Sequence, residues 1–162
     1  MQLDKIIDLQ KKLDQAIETQ HQVKNADLTK HRVLALIVEI AELSNEIASF
    51  KYWKKQRHYQ REKILEEYAD GLHFFASLLI RAKFKKYRFE SKLVNRHDIN
   101  TQLLSLFQAV SSLENKISRK KIGRAFRLYL GLGELLNLSQ SEIEHHYIKK
   151  NLINHERMQQ NY

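Results

Sequence analysis

The sequence predicts an all-α fold, a bundle of about six helices. Three observations indicate this class: the chain contains no proline, it contains only four glycines, and it has no alternating apolar and polar run of strand length. Its 162 residues suffice for one sizeable core, so we expect a single domain over residues 1–162. The absence of cysteine excludes disulfides, thiolate metal sites and a cysteine nucleophile.

Apolar residues recur at helical spacing in six stretches. The predicted helices cover about 2–21, 28–54, 60–88, 99–117, 125–137 and 140–160. Asp27 or Thr29 can cap the second helix, and Asp98 or Asn100 can start the fourth. The sequence SQSE at 139–142 has the form of a capping box, which predicts the start of the sixth helix.

The net charge of +9 and the pI near 9.7 favour an anionic partner, which is a nucleotide, a nucleic acid or a membrane surface. No apolar run approaches the roughly 20 residues of a membrane span, and the N-terminus MQLDKIID is no signal peptide. We therefore expect a cytoplasmic protein without a membrane partner.

The second predicted helix carries three glutamates, although apolar residues occupy almost its whole circumference. Glu39, Glu42 and Glu46 share one narrow stripe of that helix. A helix so apolar should be buried on most of its sides, and carboxylates in such a setting need partners.

The third predicted helix carries a second acidic pair. Glu67 and Asp70 are spaced i,i+3, as are Glu39 and Glu42, so both members of each pair point to one side of their helix. If the two helices pack antiparallel, four carboxylates converge, and their repulsion favours a divalent cation such as Mg²⁺. The alternative is two solvated helix faces, where E-x-x-E patterns are common.

Two further residues near these acids have both a functional and a structural interpretation. His73 lies one turn after Asp70 and either contacts substrate or a carboxylate, or is a half-buried structural histidine. Trp53 either stacks on a base or packs into the bundle.

The C-terminal stretch YIKKNLINHERMQQNY combines amide and basic side chains on one side of a helix. Lys150, Asn151, Asn154 and Arg157 there make a phosphate-binding surface or a solvated terminal helix.

At these residues the sequence resembles a known family. EIAELSNEIASFKYWK followed by EEYADGLHF, with 24 residues between Glu42 and Glu67, resembles the all-α nucleoside triphosphate pyrophosphatases of the MazG-like superfamily. FKYWK, DGLHF and the C-terminal tail favour the dimeric dUTPases over the MazG-type and phosphoribosyl-ATP pyrophosphohydrolase branches. The resemblance spans the chain from Leu9 to Tyr162.

The resemblance implies a fold, a reaction and a set of site residues. It implies hydrolysis of dUTP to dUMP and pyrophosphate by water attack on the α-phosphorus, with Mg²⁺ or Mn²⁺ as cofactor, in a homodimer. The implied metal ligands are Glu39, Glu42, Glu67 and Asp70; Glu39 and Glu42 are the implied catalytic residues, Glu39 being preferred for positioning or deprotonating the water. The implied substrate contacts are Gln10, Asp14, Trp53, His73, Lys150, Asn151, Asn154 and Arg157. Asp14 departs from the family, since many members have asparagine there, and Met158 follows Arg157 where glutamine is common.

Three alternatives remain open. The first is a related house-cleaning pyrophosphatase that acts on another nucleotide. The second is a catalytically inactive relative, against which the acids at all four ligand positions argue. A nucleic-acid-binding helical protein would use KYWKKQRHYQREK, RAKFKKYR and RKKIGR, whose charges interleave with Tyr52, Trp53, Tyr59, Phe84 and Tyr87. That alternative leaves the acidic pairs unexplained, so we do not expect nucleic acid to be the primary partner. The apolar stretch FRLYLGLGELL is predicted to form either a dimer interface or the monomer core.

Overall fold

The computed structural model describes residues 1–23, 27–54, 60–114 and 117–160. These residues form six helices: α1 (Asp4–Gln20), α2 (Thr29–Ile47), α3 (Arg61–Arg81), α4 (Ile99–Ser111), α5 (Arg119–Leu135) and α6 (Gln140–Gln159). Among the described residues there is no strand, and only one isolated β-bridge joins Gln2 to Arg88. The prediction of an all-α bundle of about six helices is confirmed.

Helix α3 is the centre of the bundle. It packs against α1, α2, α5 and α6, while α4 packs against α2 and α5. Its buried residues therefore lie on nearly every side of the helix, and Phe75 contacts both Phe126 and Tyr129 of α5, with ring centroids 5.3 and 4.7 Å away. This central position places the acidic residues of α3 between α2 and α6.

A reciprocal pair of tyrosines joins α3 to α5. The Tyr68 hydroxyl donates to the Tyr129 carbonyl at 3.1 Å, and the Tyr129 hydroxyl donates to the Tyr68 carbonyl at 2.5 Å. Their rings stack 4.3 Å apart. Each ring lies against a glycine of the opposite helix, because a Cβ at Gly71 would approach Tyr129 Oη to 2.5 Å and a Cβ at Gly133 would approach Tyr68 Oη to 2.7 Å.

Two of the predicted start signals are confirmed as caps. The Asp98 side chain accepts from the Asn100 backbone N–H at 2.9 Å and begins α4. Ser139 and Glu142 form the complete capping box of α6. At the second helix the Leu28 backbone occupies the cap position, and Asp27 instead accepts from the Thr29 N–H at 3.0 Å.

Two predicted helices end earlier than their apolar patterns indicated. α2 was expected to reach 54 but ends at Ile47, because Ala48 adopts a left-handed conformation with φ 53°. α3 was expected to reach 88 but ends at Arg81, with Lys83 at φ 54°. Neither residue is the glycine that usually marks such a helix end, so the sequence did not predict where these two helices stop. Half of the predicted charged break at 54–63, including Tyr59, lies outside the described residues.

After α3 the chain extends along α5 instead of continuing as a helix. Arg119 Nε donates to the Ala82 carbonyl at 3.1 Å, and the Lys92 N–H donates to the Arg127 carbonyl at 2.8 Å. Between these bonds, the Phe89 ring packs against Phe126 with centroids 5.0 Å apart. Residues 82–92 and the first half of α5 therefore lie side by side.

The apolar residues of α2 are buried on only part of the helix circumference. Leu36, Ile40 and Leu43 are in the core, but Leu34 is 64% exposed and Val38 is 46% exposed. The expectation of burial on most sides is therefore not met within one chain. The stretch FRLYLGLGELL, in contrast, is largely buried against α3 and α4 and belongs to the monomer core.

Candidate active site

Three of the four carboxylates that the two acidic stripes predicted to converge do so, from two neighbouring helices. One carboxylate oxygen each of Glu39, Glu67 and Asp70 lies within 4.8 Å of the other two, and all three residues are half-buried. Helical phase explains the grouping, because Glu67 and Asp70 are one turn apart on α3 and α2 packs along that side. We call these three residues the carboxylate cluster.

The proton affinities of the cluster are raised. The pKa of Glu39 rises to about 7 and that of Glu67 to about 6, in both cases first because burial disfavours the charged form and second because of the negative charge of Asp70. Burial also raises the pKa of Asp70, against the opposing effect of its hydrogen bond from Lys150. The cluster thus holds more negative charge than its own surroundings compensate.

Lys150 of α6 places a cation at this cluster. Its Nζ lies 2.7 Å from Asp70 Oδ2 and 3.4 Å from Glu66 Oε1, and the Lys150 side chain is only 15% exposed. It reaches the cluster because α6 packs on α3 and is held at its start by the capping box. Glu66, which the sequence left without a role, is the exposed partner of this lysine.

Glu42 lies beside the carboxylate cluster without being one of its three members. It is exposed, and its charge raises the pKa of both Glu39 and Glu67. It is therefore close enough to act electrostatically on the cluster. Glu46, one turn further along α2, is half-buried and is not one of the three members of the cluster.

A cavity of about 420 Å³ adjoins the cluster. Glu39, Asp70 and Lys150 line it, and so do residues of α1, α3 and α6 that the sequence associated with substrate. The sequence-predicted residues in its wall are Gln10, Asp14, Glu39, Asp70, His73, Lys150, Asn154 and Arg157. One continuous space therefore connects the carboxylates to the amide and basic side chains of α1 and α6.

A chain of buried hydrogen bonds crosses the wall of this cavity. Asp14 accepts from Gln10 Nε2 at one oxygen and from Ser77 Oγ at the other, both at 2.7 Å. Gln10 Oε1 in turn accepts from the Tyr147 hydroxyl at 2.7 Å and lies 2.8 Å from His73 Nδ1. Burial raises the pKa of Asp14. The network holds the Gln10 amide and the Asp14 carboxyl in defined orientations.

His73 is a neutral member of this network. Burial, aided by the charge of Lys150, lowers its pKa to about 3, so the imidazole carries no charge at neutral pH. Its ring stacks on Tyr147 with centroids 4.1 Å apart. The two interpretations of His73 are thus compatible, because the residue is structurally buried and also lines the cavity.

Two predicted substrate contacts do not line the cavity. Trp53 is 60% exposed in the turn after α2, where it makes edge contacts with Phe50 and Tyr52. Asn151 is buried on α6, one turn after Tyr147. Neither residue is brought to the carboxylate cluster within one chain.

Several residues in the cavity wall received no role from the sequence. Ser77 lies two turns after Asp70 on the same side of α3, a spacing that could have identified it. Arg32 lies two turns before Glu39 on the same side of α2, a spacing that could likewise have identified it, and it pairs with Glu18 of α1 at 2.8 Å.

Comparison with known proteins shows which family the chain belongs to. The model of the family described as dUTPase matches residues 2–162, almost the entire chain. The chain belongs to the dUTPase family. A search of curated proteins and a search of solved structures each found no match.

This dUTPase hydrolyses dUTP to dUMP and pyrophosphate, as a dUTP diphosphatase. The family assignment confirms the resemblance stated from the acidic pairs and the C-terminal tail, and agrees with the all-α fold. Among the described residues of this dUTPase, no helix combines the length and the apolar character that crossing a bilayer requires.

Proposed function

We propose that this dUTPase acts at the carboxylate cluster and uses Mg²⁺, or Mn²⁺ in its place. The observation that carries the proposal is the convergence of one oxygen each from Glu39, Glu67 and Asp70 beside the cavity. Carboxylate oxygens are the ligands that Mg²⁺ prefers. Burial first, and then the charge of Asp70, raises the pKa of Glu39 and of Glu67, and a bound divalent cation would favour the charged form of both carboxyls.

In this proposal the three cluster residues and Glu42 hold the metal. Bound Mg²⁺ would neutralise charge on the phosphate oxygens and lower the pKa of a bound water. Glu39 positions the attacking water and takes its proton. The water oxygen forms a bond to the α-phosphorus, the bond between that phosphorus and the bridging oxygen breaks, and pyrophosphate leaves with the bonding electrons.

The other walls of the cavity would hold the rest of the substrate. Lys150, Asn154 and Arg157 line it from α6 and supply cationic and amide donors for the triphosphate. Gln10 and Asp14 line it from α1 and face the nucleoside. His73 contributes by orienting Gln10 and remains neutral throughout.

Pyrophosphate release from dUTP tests this assignment, measured over a Mg²⁺ titration. We expect Glu39→Gln and Glu67→Gln to lower kcat by about 10²–10⁴-fold, since each removes a charge at the reacting centre. Glu46→Gln is the matched control on α2 and should remain within about twofold of the parent. Glu42→Gln decides whether the exposed fourth acid belongs to the site. Full activity in the Glu39 and Glu67 variants would remove the carboxylate cluster from the mechanism.

A second readout separates metal binding from catalysis. Mg²⁺ that binds the folded state should raise the melting temperature in the absence of nucleotide, by mass action. Glu67→Gln should reduce that rise and Glu46→Gln should preserve it. Release of pyrophosphate from dCTP, dTTP and dATP, measured in parallel, tests the related pyrophosphatase with another base preference.

We also propose that the chain forms a homodimer through an apolar surface on α2 and α4. Leu34 and Val38 of α2 and Leu104 of α4 are 64, 46 and 71% exposed. A groove of about 560 Å³ between α2 and α4 is lined mostly by apolar side chains, Phe50, Leu104 and Phe107 among them. A soluble monomer rarely exposes such a contiguous patch, whereas a second copy of the chain would bury it.

The proposed dimer surface lies next to the turn that carries Trp53. Phe50 lines the groove, and its ring contacts Trp53 edge-on with centroids 6.2 Å apart. A second copy on this surface would therefore approach the Trp53 turn. The substrate contact expected of Trp53 stays a prediction.

A further inference from the structure

The positive charge of the chain is concentrated in one segment that the active site does not use. Residues 82–127 contain twelve Lys and Arg and three Asp and Glu, a net charge of +9, which equals the net charge of the whole chain. The remaining residues contain sixteen of each sign and are neutral overall. No residue of 82–127 lines the cavity beside the carboxylate cluster. Binding of the triphosphate therefore does not explain this charge.

The fold assembles much of this charge into one surface. Residues 82–92 lie beside the first half of α5, joined at Ala82 to Arg119 and at Lys92 to Arg127. Seven of the exposed basic residues of these two neighbours define what we call the basic surface: Lys83, Lys85, Lys86, Arg88, Lys120, Arg124 and Arg127. Lys120, Arg124 and Arg127 have i, i+4, i+7 spacing and form one stripe of α5.

The cations of the basic surface lack acidic partners. None of its seven residues takes part in an ion pair with any carboxylate of the described residues. Some lysines and arginines elsewhere, such as Lys5 and Arg61, do pair with glutamates, at 2.7 and 2.8 Å. Seven unpaired cations on neighbouring elements repel one another, and a polyanion would relieve that repulsion.

We propose that the basic surface binds the phosphate backbone of duplex nucleic acid, independently of base sequence. The stripe from Lys120 to Arg127 spans about 10 Å of helix axis, which matches about three successive phosphates of one strand. The contacts we propose are with phosphates, which fix position on the duplex and carry no sequence information.

Two observations favour a duplex over other polyanions. Phe84 and Phe89, which interleave with the charges in sequence, pack against each other and against α5, so they offer no stacking platform to single-stranded bases. An anionic membrane is a less suitable partner, because membrane binding also needs exposed apolar side chains that can insert. Among the described residues between 82 and 127, the large apolar residues that are exposed are Val94 and Leu104. Val94 lies outside the two elements of the basic surface, and Leu104 faces the α2–α4 groove.

Fluorescence anisotropy of a labelled duplex of two helical turns tests the proposal, with the full chain and no dUTP. We expect Lys120→Glu/Arg124→Glu to weaken binding at least tenfold at about 50 mM salt and to reduce the salt slope by about two, one for each lost phosphate contact. The matched control is Lys12→Glu/Lys30→Glu, which changes net charge equally at exposed positions of α1 and α2 and should weaken binding less than twofold.

Two other measurements make the outcome decisive. Both double variants should retain dUTP hydrolysis, because none of the four residues lines the cavity, and retained hydrolysis also shows that each variant is folded. Equal weakening by both variants, absence of duplex binding at low salt, or tighter binding to vesicles of anionic lipid would each overturn the proposal. Preferential binding of a single strand of the same length would overturn the choice of duplex.

Discussion

Asp14 illustrates how one side chain can change what a cavity recognises. Both of its oxygens already accept hydrogen bonds, from Gln10 and from Ser77. An ionised carboxylate can only accept, whereas a carboxamide at the same position would donate as well. Uracil presents carbonyl oxygens beside N3–H, so a residue that both donates and accepts fits it better than one that only accepts.

Asp14→Asn should therefore sharpen the preference for uracil. If Gln10 and Asp14 face the nucleoside as proposed, the ratio of kcat/KM for dUTP over dCTP should rise about tenfold, the value of one hydrogen bond. Steady-state pyrophosphate release with both nucleotides measures the ratio. Asp8→Asn, at an exposed position of the same helix, should leave it unchanged. An unaltered ratio in the Asp14 variant would separate this residue from base recognition.

Single-residue placement was predictable where helical phase controls it. The i,i+3 spacing correctly indicated that Glu67 and Asp70 point together and meet Glu39 of the neighbouring helix. The contact of Lys150 with Asp70 was not predictable, because it depends on how α6 packs against α3. Trp53 lies in a turn, where sequence periodicity carries no information on direction.

The helices of this protein use glycine in an unusual way. All four glycines lie inside α3 and α5, whereas the left-handed residues that follow helix ends are Gln22, Ala48, Lys83 and Asn137. The glycines of this protein therefore allow neighbouring elements to approach closely, although glycine inside a helix lowers its stability. This reversal explains why the sequence correctly predicted the number of helices but placed the ends of α2 and α3 seven residues too late.

Gly131 and Gly123 allow a matched test of this use. A Cβ at Gly131 would lie 2.2 Å from the Lys92 carbonyl and 2.7 Å from Gln102 Nε2, so Gly131→Ala should lower the free energy of unfolding by about 1–3 kcal/mol. A Cβ at Gly123 would meet Phe84 at an ordinary 3.5 Å, so Gly123→Ala should raise it by about 0.5–1 kcal/mol. Urea unfolding gives both values. A neutral Gly131→Ala would show that the segment at Lys92 can shift away from α5.

At the scale of the molecule, we assign separate functions to three surfaces. The carboxylate cluster and its cavity lie among α1, α2, α3 and α6. The apolar groove lies between α2 and α4, and the basic surface lies along α5. The sequence indicated the first surface through its acidic stripes. It indicated the second only as an excess of apolar residues, because choosing between core and interface requires the packed structure.

Leu104→Glu tests the apolar surface. Placing a charge at a side chain that is 71% exposed should not unfold the monomer, but it should weaken a dimer that buries this position. Sedimentation velocity should then show monomers at concentrations where the parent chain is dimeric. Leu152→Glu is the control, since Leu152 is 59% exposed on α6, away from the groove, and should leave the dimer intact. A monomeric parent chain would count against the proposed dimer.

The reciprocal tyrosines that join α3 to α5 also set an alkaline limit on the fold. Burial raises the pKa of Tyr68 and of Tyr129 above the usual value near 10, and it does the same for Tyr147. Because the folded chain holds these phenolic protons more tightly than the unfolded chain does, stability is lost as the pH rises above about 10. In an alkaline titration, three of the seven tyrosines should therefore form tyrosinate only together with the loss of helical circular dichroism. Ionisation of all seven while the helices persist would show that these phenols reach solvent without unfolding.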